Sequence, residues 1–108
     1  MTVDLTLIVT VPGEPNDSGY RSKAEYTTTV IAERISVNRT EFYEALKAGM
    51  KPTVIYRLHP LDLEAARRTV GGVVYEAELA TEGGMRYEII RAYEKNPDVV
   101  EITCKKVT

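Results

Sequence analysis

The sequence predicts a mainly β domain, a small six-stranded antiparallel barrel or sandwich with one short α-helix between its second and third strands. Three observations support this fold class. Most of the chain alternates apolar with polar residues, which is the period that buries one face of a strand. Clusters of Gly, Pro, Asn and Asp separate these stretches at hairpin spacing. One stretch, "TEFYEALKAG" at residues 40–49, has helical spacing instead.

Composition places the chain among ordinary folded domains. Its 108 residues fit a single domain covering 1–108, with 44% hydrophobic and 28% charged residues. The 14 basic and 16 acidic residues exclude a basic nucleic-acid arm and a disordered acidic tail. One cysteine excludes an internal disulfide framework. With no positive leader and no apolar run near ~20 residues, we predict neither a conventional secretion signal nor a membrane span.

The first two strands follow from alternation and from side-chain type. Residues 2–11 predict the first strand, and its inward face carries Val3, Leu5, Leu7, Val9 and Val11. Residues 12–22 gather Pro, Gly, Asn and Asp and predict an exposed loop. Residues 23–36 are rich in β-branched side chains and predict a longer second strand. One side of that strand carries Tyr26, Thr28, Val30 and Ala32.

The helical stretch covers about residues 38–49. Phe42 and Leu46 lie on its apolar face, with charged residues opposite. Gly49 can supply the left-handed residue at the C-terminal end, and Pro52 prevents continuation. A helix of about three turns is too short to be stable alone. Its apolar stripe is therefore expected to dock on the barrel or on a neighbouring subunit.

Four further strands complete the prediction. Their ranges are 53–59, 73–82, 85–94 and 99–107. The chain leaves the sheet at Pro60, where a short helical turn is expected, and Gly83 with Gly84 permits a tight hairpin turn. The side chains predicted to face inward are Val54, Tyr56 and Leu58 in the third strand, Val73, Tyr75, Ala77 and Leu79 in the fourth, and Val100, Ile102 and Cys104 in the last.

No stretch carries a catalytic or metal-binding pattern. The single histidine, His59, has no second His or Cys at ligand spacing and is expected to be a surface or hydrogen-bonding residue. Cys104 lies in the inward pattern of a strand and is expected to be a buried, inert thiol. Carboxylates that fit a solvated face rather than an acid–base pair are Glu76, Glu78, Glu82, Asp62 and Glu64. We therefore predict that the protein is not an enzyme and uses no cofactor or metal.

The basic and aromatic residues bear on possible binding functions. The basic clusters are interleaved with acidic residues, which argues against a specific nucleic-acid reader. These clusters are Arg67-Arg68, Lys105-Lys106, and Arg86 with Arg91. The seven tyrosines fit either contact surfaces or ordinary strand packing. The candidates for contact surfaces are Tyr20, Tyr43 and Tyr56.

Two longer stretches resemble a known family. The order "ISVNRTEFYEALKAGMKPTVIYRL" and then "GGMRYEIIRAYEKNPDVVEITCKK" resembles the phage head-tail joining family, the head-completion or stopper connector proteins of long-tailed phages and prophages. The resemblance covers about residues 20–106 and is most specific in two places. The first is Glu41-Phe42-Tyr43, followed by Ala45 and by Gly49 to Pro52. The second is Tyr87, Ile89, Ile90, Arg91, Tyr93 and Lys95-Asn96, before a strand ending in Cys104.

The resemblance implies a structural protein of the virion. Members of the family form a ring under the portal of a filled capsid, close or line the DNA exit channel and offer a surface to which the tail docks. The segment between the second and third strands, here about residues 37–52, is then expected to lie toward the ring interior and to take part in gating. The implied ring-interface or gating residues are Glu41, Phe42, Tyr43, Leu46, Lys47, Met50 and Lys51.

The implied partners are other copies of the chain in a homo-oligomeric ring, a portal or adaptor protein, and a tail or tail-terminator protein. Contact with phage DNA in the channel is expected to be non-specific, and no membrane contact is expected. The implied location is the head-tail interface of the virion, after assembly in the host cytoplasm. Two alternatives stay open: a tail-completion or tail-terminator ring protein, and a stand-alone small β-barrel that binds nucleic acid or protein.

Overall fold

The structure, a computed structural model, describes residues 1–15, 21–35, 47–49 and 53–107. The elements of this part are β1 (Thr2–Pro15), β2 (Arg21–Arg34), β3 (Thr53–Leu58), α1 (Pro60–Ala66), β4 (Arg68–Val70), β5 (Val73–Tyr75), β6 (Leu79–Glu82), β7 (Met85–Asn96) and β8 (Val99–Lys106). Six strands close into an antiparallel barrel in the order β1-β2-β3-β8-β7-β6, while β4 and β5 form a separate hairpin. The predicted mainly β, six-stranded antiparallel fold class is confirmed.

Alternate positions of the barrel strands form one apolar core. It contains Leu5 and Leu7 of β1, Val30 and Ala32 of β2, Val54, Tyr56 and Leu58 of β3, and Val100, Ile102 and Cys104 of β8. The inward faces predicted for the first, third and last strands are therefore confirmed; of the side predicted for the second strand, Val30 and Ala32 are buried, but Thr28 is only partly buried and Tyr26 is exposed. Burying one large aliphatic or aromatic side chain is worth about 1.5–3 kcal/mol. Burial of these alternating apolar side chains is thus the main source of the barrel's stability.

A short helix follows β3 and packs on the core. Pro60 occupies its first turn, where a missing N–H costs no intrahelical hydrogen bond. His59 caps it, because the His59 Nδ1 accepts a hydrogen bond from the Leu61 N–H at 3.1 Å. Ala66 is buried in the core, and Leu63 packs against it. The expected helical turn after Pro60 and the hydrogen-bonding role of His59 are confirmed.

The predicted fourth strand, residues 73–82, is wrong as a single element. Gly71 and Gly72 have φ of +60° and +78°, so the chain turns back and β5 pairs with β4. The next strand, β6, begins only at Leu79. The predicted inward face is wrong for Val73, which is 51% exposed, and for β6, where Ala80 rather than Leu79 is fully buried, whereas Ala77 does pack against the core. The alternating pattern runs unbroken through a segment that changes its pairing partner, so periodicity alone could not find the break.

The loop between the first two strands is shorter than the predicted residues 12–22. β1 continues to Pro15 and β2 begins at Arg21, so both ends of the predicted loop belong to strands. The β1–β2 register shifts between Pro12 and Pro15. This irregularity fits proline, which cannot donate a hydrogen bond to the ladder. Residues 16–20 lie outside the described part of the chain.

Most of the helix predicted at about residues 38–49 lies outside the described residues. Of its last turn, Lys47 is helical, and Ala48 and Gly49 form a turn. The φ of Gly49 is +74°, which confirms the left-handed residue predicted there. The helix that the structure describes in full, α1, follows β3 rather than preceding it. Within the described ranges, no helix has the length and apolar character needed to cross a bilayer.

β1 and β2 are longer than the barrel requires. Their ladder runs from the Thr2–Glu33 pair to the Pro15–Arg21 pair, whereas β1 pairs with β6 only over Thr6–Ile8. The β1–β2 ladder therefore continues well beyond the stretch of β1 that pairs with β6, and Val9 and Val11 in this part are still buried. The molecule measures 52 × 35 × 20 Å with a radius of gyration of 15.6 Å. A compact domain of this length has a radius of gyration of about 13 Å, so this molecule is more elongated.

Candidate functional site

One end of the barrel holds the base of the β2–β3 connection. Residues 35–52 leave the end of β2 and return at the start of β3. The Ile35 N–H donates to the Ile55 carbonyl at 3.0 Å, and the Arg34 N–H donates to the Met1 carbonyl at 2.8 Å. The base of the predicted gating segment is therefore fixed by backbone hydrogen bonds to β3 and to Met1, the residue before β1.

Tyr56 is the buried centre of this end of the barrel. Its inward position in β3 buries the side chain fully. A buried phenol needs a hydrogen-bond partner, and the Tyr56 hydroxyl donates to Glu82 Oε1 at 2.8 Å. The ring of Tyr87 meets Tyr56 edge-on, with centroids 6.2 Å apart. Of the three tyrosines that are candidates for contact surfaces, Tyr56 is a core residue, while Tyr20 and Tyr43 lie outside the described ranges.

Glu82 joins β6 to both β2 and β3. Arg34 Nη1 lies 3.1 and 3.0 Å from the two carboxylate oxygens of Glu82. The Glu82 side chain is 15% exposed and that of Arg34 is 36% exposed. A partly buried pair is screened by salt less than a surface pair, and its charge-assisted hydrogen bonds are stronger than neutral ones. We call these three residues the Arg34–Glu82–Tyr56 cluster.

Burial and the nearby carboxylate raise the pKa of both tyrosines. For Tyr56, burial is the largest cause, and the hydrogen bond to Glu82 and its negative charge raise the pKa further, far above the ordinary range. Burial and then Glu82 also raise the pKa of Tyr87. Both phenols therefore stay protonated at neutral pH. Tyr56 serves as a hydrogen-bond donor in this cluster and not as a proton acceptor.

Seven residues were predicted to form the ring interface or gate, and the structure describes one of them. Lys47 is exposed. The other six lie outside the described residues: Glu41, Phe42, Tyr43, Leu46, Met50 and Lys51. The structure does describe the point from which this segment departs, and the Arg34–Glu82–Tyr56 cluster is located there.

Local sequence patterns do not indicate that Glu82 and Arg34 meet in this cluster. Glu82 was expected on a solvated strand face with the other carboxylates, and this expectation is wrong for Glu82. One signal was present: Tyr56 alternates with Val54 and Leu58 on an inward face, so its hydroxyl requires a polar partner inside the barrel. The identity of that partner depends on which strands meet, and the local pattern does not give this.

Carboxylates neutralise many of the basic side chains that the structure describes. The pairs are Arg34–Glu82 at 3.0 Å, Arg57–Glu101 at 2.7 Å, Arg67–Glu76 at 2.7 Å, Arg86–Glu25 at 3.5 Å and Lys95–Glu101 at 3.3 Å. The hydrogen bond from Arg57 is the largest cause that lowers the pKa of Glu101. Arg68 instead lies over the Tyr26 ring, 5.5 Å from its centroid. These contacts leave less positive charge free to bind phosphates.

Cys104 is buried, as predicted. Its side chain is fully buried in the core, and burial raises the pKa of its thiol to about 12. Because the thiolate is the reactive form, this thiol is a poor nucleophile near neutral pH. Elsewhere in the described ranges, no three His, Cys, Asp or Glu side chains stand together in a way that could hold a metal ion.

The raised pKa of Cys104 should reduce stability at alkaline pH. An unfolded thiol has a pKa near ~8.5, so above that pH the unfolded chain loses its proton while the folded chain keeps it. The free energy of unfolding should therefore be unaffected below about pH 8.5 and fall by up to ~1.4 kcal/mol per pH unit above it, until the folded thiol also ionises. Urea midpoints measured at several pH values between about 7 and 11 test this.

The matched control for this pH effect is Cys104→Ala. The variant should be less stable at neutral pH, by about 1 kcal/mol, because the smaller side chain leaves a cavity. Its stability should then fall less steeply between pH 8.5 and pH 11 than that of the parent chain. Equal slopes for the two proteins would show that Cys104 does not contribute.

Comparisons with protein-family models, with curated proteins and with solved structures found no match to the chain. The family resemblance of residues 20–106 rests on the two quoted stretches alone.

Proposed function

We propose that the protein is a head-tail connector of the head-completion or stopper type, which forms a ring below the portal, closes the DNA exit channel and offers a docking surface for the tail. One observation carries this proposal. Two-residue turns join β6 to β7 and β7 to β8, whereas residues 35–52 join β2 to β3. Neighbouring antiparallel strands need only about two residues between them. A connection this long in a small barrel is typical of a functional loop.

The Arg34–Glu82–Tyr56 cluster supports a gating role for that connection. A functional segment is positioned best when it starts from rigid elements whose side chains are locked by packing and hydrogen bonds. Here the cluster ties β2, β3 and β6 together at the base of the connection. Movement of the segment can then occur without opening the barrel itself.

The sequence of the connection supports contacts between subunits. Phe42 and Leu46 share the apolar face of the helix that the sequence predicts at about residues 38–49, and a helix of that length is too short to be stable alone. In a ring, each subunit can provide the surface that its neighbour's stripe lacks. Such head-to-tail contacts close only when the rotation per subunit fits the symmetry.

Charge supports a channel through which DNA passes without being held. The net charge of −2 gives little general attraction to phosphates. Among the described residues, carboxylates pair with Arg34, Arg57, Arg67, Arg86 and Lys95. A sleeve of this kind slows DNA less than a strongly basic lining would.

Electron microscopy of the purified chain mixed with portal complexes tests the proposal. We expect ring density directly below the portal, with the channel closed. A matched variant replaces residues 38–49 by a Gly-Ser linker of the same length and leaves the Arg34–Glu82–Tyr56 cluster unchanged. We expect this variant to keep the barrel's thermal transition but to lose channel closure. A chain that neither oligomerises nor binds portal or tail-terminator rings at high concentration contradicts the proposal.

The same samples separate the two alternatives. Binding to tail-terminator rings without binding to portals favours a tail-completion or tail-terminator protein. Affinity of the monomer for DNA that falls steeply with salt favours a stand-alone nucleic-acid-binding barrel. The paired basic side chains described above predict weak DNA binding.

A further inference from the structure

The β1–β2 hairpin joins the rest of the barrel through two short seams. Its own ladder runs almost the full length of both strands. In contrast, β1 pairs with β6 only over Thr6–Ile8, and in the described ranges β2 pairs with β3 only at Glu33 and Arg34. The hairpin is therefore a unit in which each strand has its main partner within the hairpin.

A single covalent connection links this hairpin to the other strands. β1 and β2 come first in the chain, residues 35–52 lead from β2 to β3, and all other strands of the barrel follow. A connection of this length spans up to about 60 Å when extended. The longest dimension of the molecule is 52 Å. The hairpin of one copy can therefore reach the barrel of another copy while the chain stays intact.

The contacts between the hairpin and the remaining strands do not require both to belong to one chain. Arg34 lies in the hairpin, whereas its partner Glu82 lies in β6 and Tyr56 lies in β3. The hairpin also supplies part of the apolar core. Its core side chains are Leu5, Leu7, Val30 and Ala32. A hairpin with the same sequence from another copy makes the same contacts, so exchange costs no packing and no hydrogen bond.

The competition between a chain's own hairpin and that of another copy depends on concentration. A flexible tether presents the attached hairpin at an effective concentration of about 1 mM. Another copy competes when the chain concentration approaches this value. Once the barrel has closed, removing the hairpin exposes its buried apolar side chains to water, which slows later exchange. The choice between the two hairpins is therefore made while the chain folds.

We propose that two copies of the chain exchange their β1–β2 hairpins, so that each hairpin completes the barrel of the other copy. Exchange of an identical element is a low-cost route to a dimer. The partner is a second copy because the gap between β6 and β3 accepts this hairpin, in this register, in the structure itself. Each Arg34–Glu82–Tyr56 cluster then takes Arg34 from one copy and the other two residues from the second. The candidate site is shared between two chains in this state.

The exchanged dimer does not depend on the proposed connector function. Reciprocal exchange closes with two copies, whereas a ring needs heterologous contacts. Failure to bind a portal therefore leaves this proposal unaffected, and failure to exchange leaves the connector proposal unaffected.

Complementary charge variants test the exchange. In Arg34→Glu and in Glu82→Arg, like charges meet at the seam, both in the monomer and in a dimer of that variant alone. When an equal mixture refolds from urea, exchange between the two variants pairs opposite charges at both seams. Sedimentation velocity at about 0.1 mM should show at least about ten times more dimer in the mixture than in either variant refolded alone.

The matched control uses an ion pair that hairpin exchange does not divide. Arg57 Nε lies 2.7 Å from Glu101 Oε2, and β3 and β8 both lie outside the hairpin. A refolded mixture of Arg57→Glu and Glu101→Arg should therefore contain no more dimer than the separate variants. An equal gain of dimer in this control mixture would show that the copies associate by another route, and it would contradict the proposal.

A covalent test leaves the charges unchanged. Thr6 of β1 faces Thr81 of β6, so the two Cα atoms are within disulfide range. Thr6→Cys and Thr81→Cys are made separately in a Cys104→Ala background, refolded together at about 1 mM and oxidised. We expect a disulfide-linked dimer containing one chain of each variant, which mass spectrometry identifies.

Concentration gives the last comparison. The parent chain refolded at about 1 mM should be about half dimer, and refolded at about 10 µM it should be almost entirely monomer. The proposal is overturned if the parent chain stays monomeric at the higher concentration, or if the mixed cysteine variants give no linked dimer.

Discussion

Replacing Tyr56 by Ala is expected to lower the free energy of unfolding by about 3–5 kcal/mol, the range for truncating a large buried aromatic side chain. The substitution removes a fully buried ring, its edge-on contact with Tyr87 and the hydroxyl that donates to Glu82. Domains are stable by only about 5–15 kcal/mol in total, so this loss is a large fraction. Urea denaturation followed by far-ultraviolet circular dichroism measures it.

Two further variants separate packing from hydrogen bonding. Tyr56→Phe keeps the ring and loses the hydroxyl, so it should cost only about 1–2 kcal/mol, because Glu82 retains Arg34 as a partner. Tyr93→Ala removes a tyrosine that is 59% exposed and should change stability by less than about 0.5 kcal/mol. If Tyr56→Phe costs as much as Tyr56→Ala, the polar cluster rather than the packing dominates at this site.

Replacing Phe42 and Leu46 together by Ser is expected to reduce assembly on portal complexes by at least about 100-fold in apparent affinity, which corresponds to about 2.7 kcal/mol. Both side chains lie on the apolar stripe of the predicted helix, and in the proposed ring this stripe contacts a neighbouring subunit. The thermal transition of the free chain should move by only a few degrees. Sedimentation with portal complexes and thermal melting of the same preparations compare the two effects.

The matched control removes two apolar side chains that the structure shows at the surface. Leu61 is 64% exposed and Val74 is 54% exposed, so Leu61→Ser combined with Val74→Ser makes a comparable loss of apolar surface elsewhere. This control should leave portal binding unchanged. Equal losses of assembly and of folding stability in the Phe42 and Leu46 double variant would show that the stripe belongs to the subunit's own core.

Local patterns predicted those strands that keep one pairing arrangement along their length. Alternation placed the inward faces of the first, third and last strands correctly, because each has one face on the core throughout. The same rule failed at residues 73–82, where the chain pairs first with β4 and then with β1 and β7. Periodicity reports which residues share a face of a strand, and it does not report which strand lies beside them.

Local patterns could not predict the Arg34–Glu82–Tyr56 cluster either, because they do not show which strands are neighbours. Arg34, Tyr56 and Glu82 lie on three strands that are distant in sequence and meet only when the barrel closes. Glu82 stands directly before the Gly83-Gly84 turn, a position that is normally solvent-exposed. For His59 and Cys104, local pattern was sufficient. His59 lies at the N-terminal cap of α1, and Cys104 is buried in the core.

The seam between β1 and β6 governs the order in which this chain can fold. β1 is the first strand of the sequence, and its Thr6 pairs with Thr81 near the other end of the chain. Proteins dominated by such distant pairings fold in about milliseconds to seconds, because a long loop must be closed before the contacts form. During synthesis, the β1–β2 hairpin therefore cannot pair with β6 and close the barrel until β6 has left the ribosome. Until then the edge of β1 that will pair with β6 is open. Pro12 and Pro15 make part of this strand a poor partner for strands of other chains.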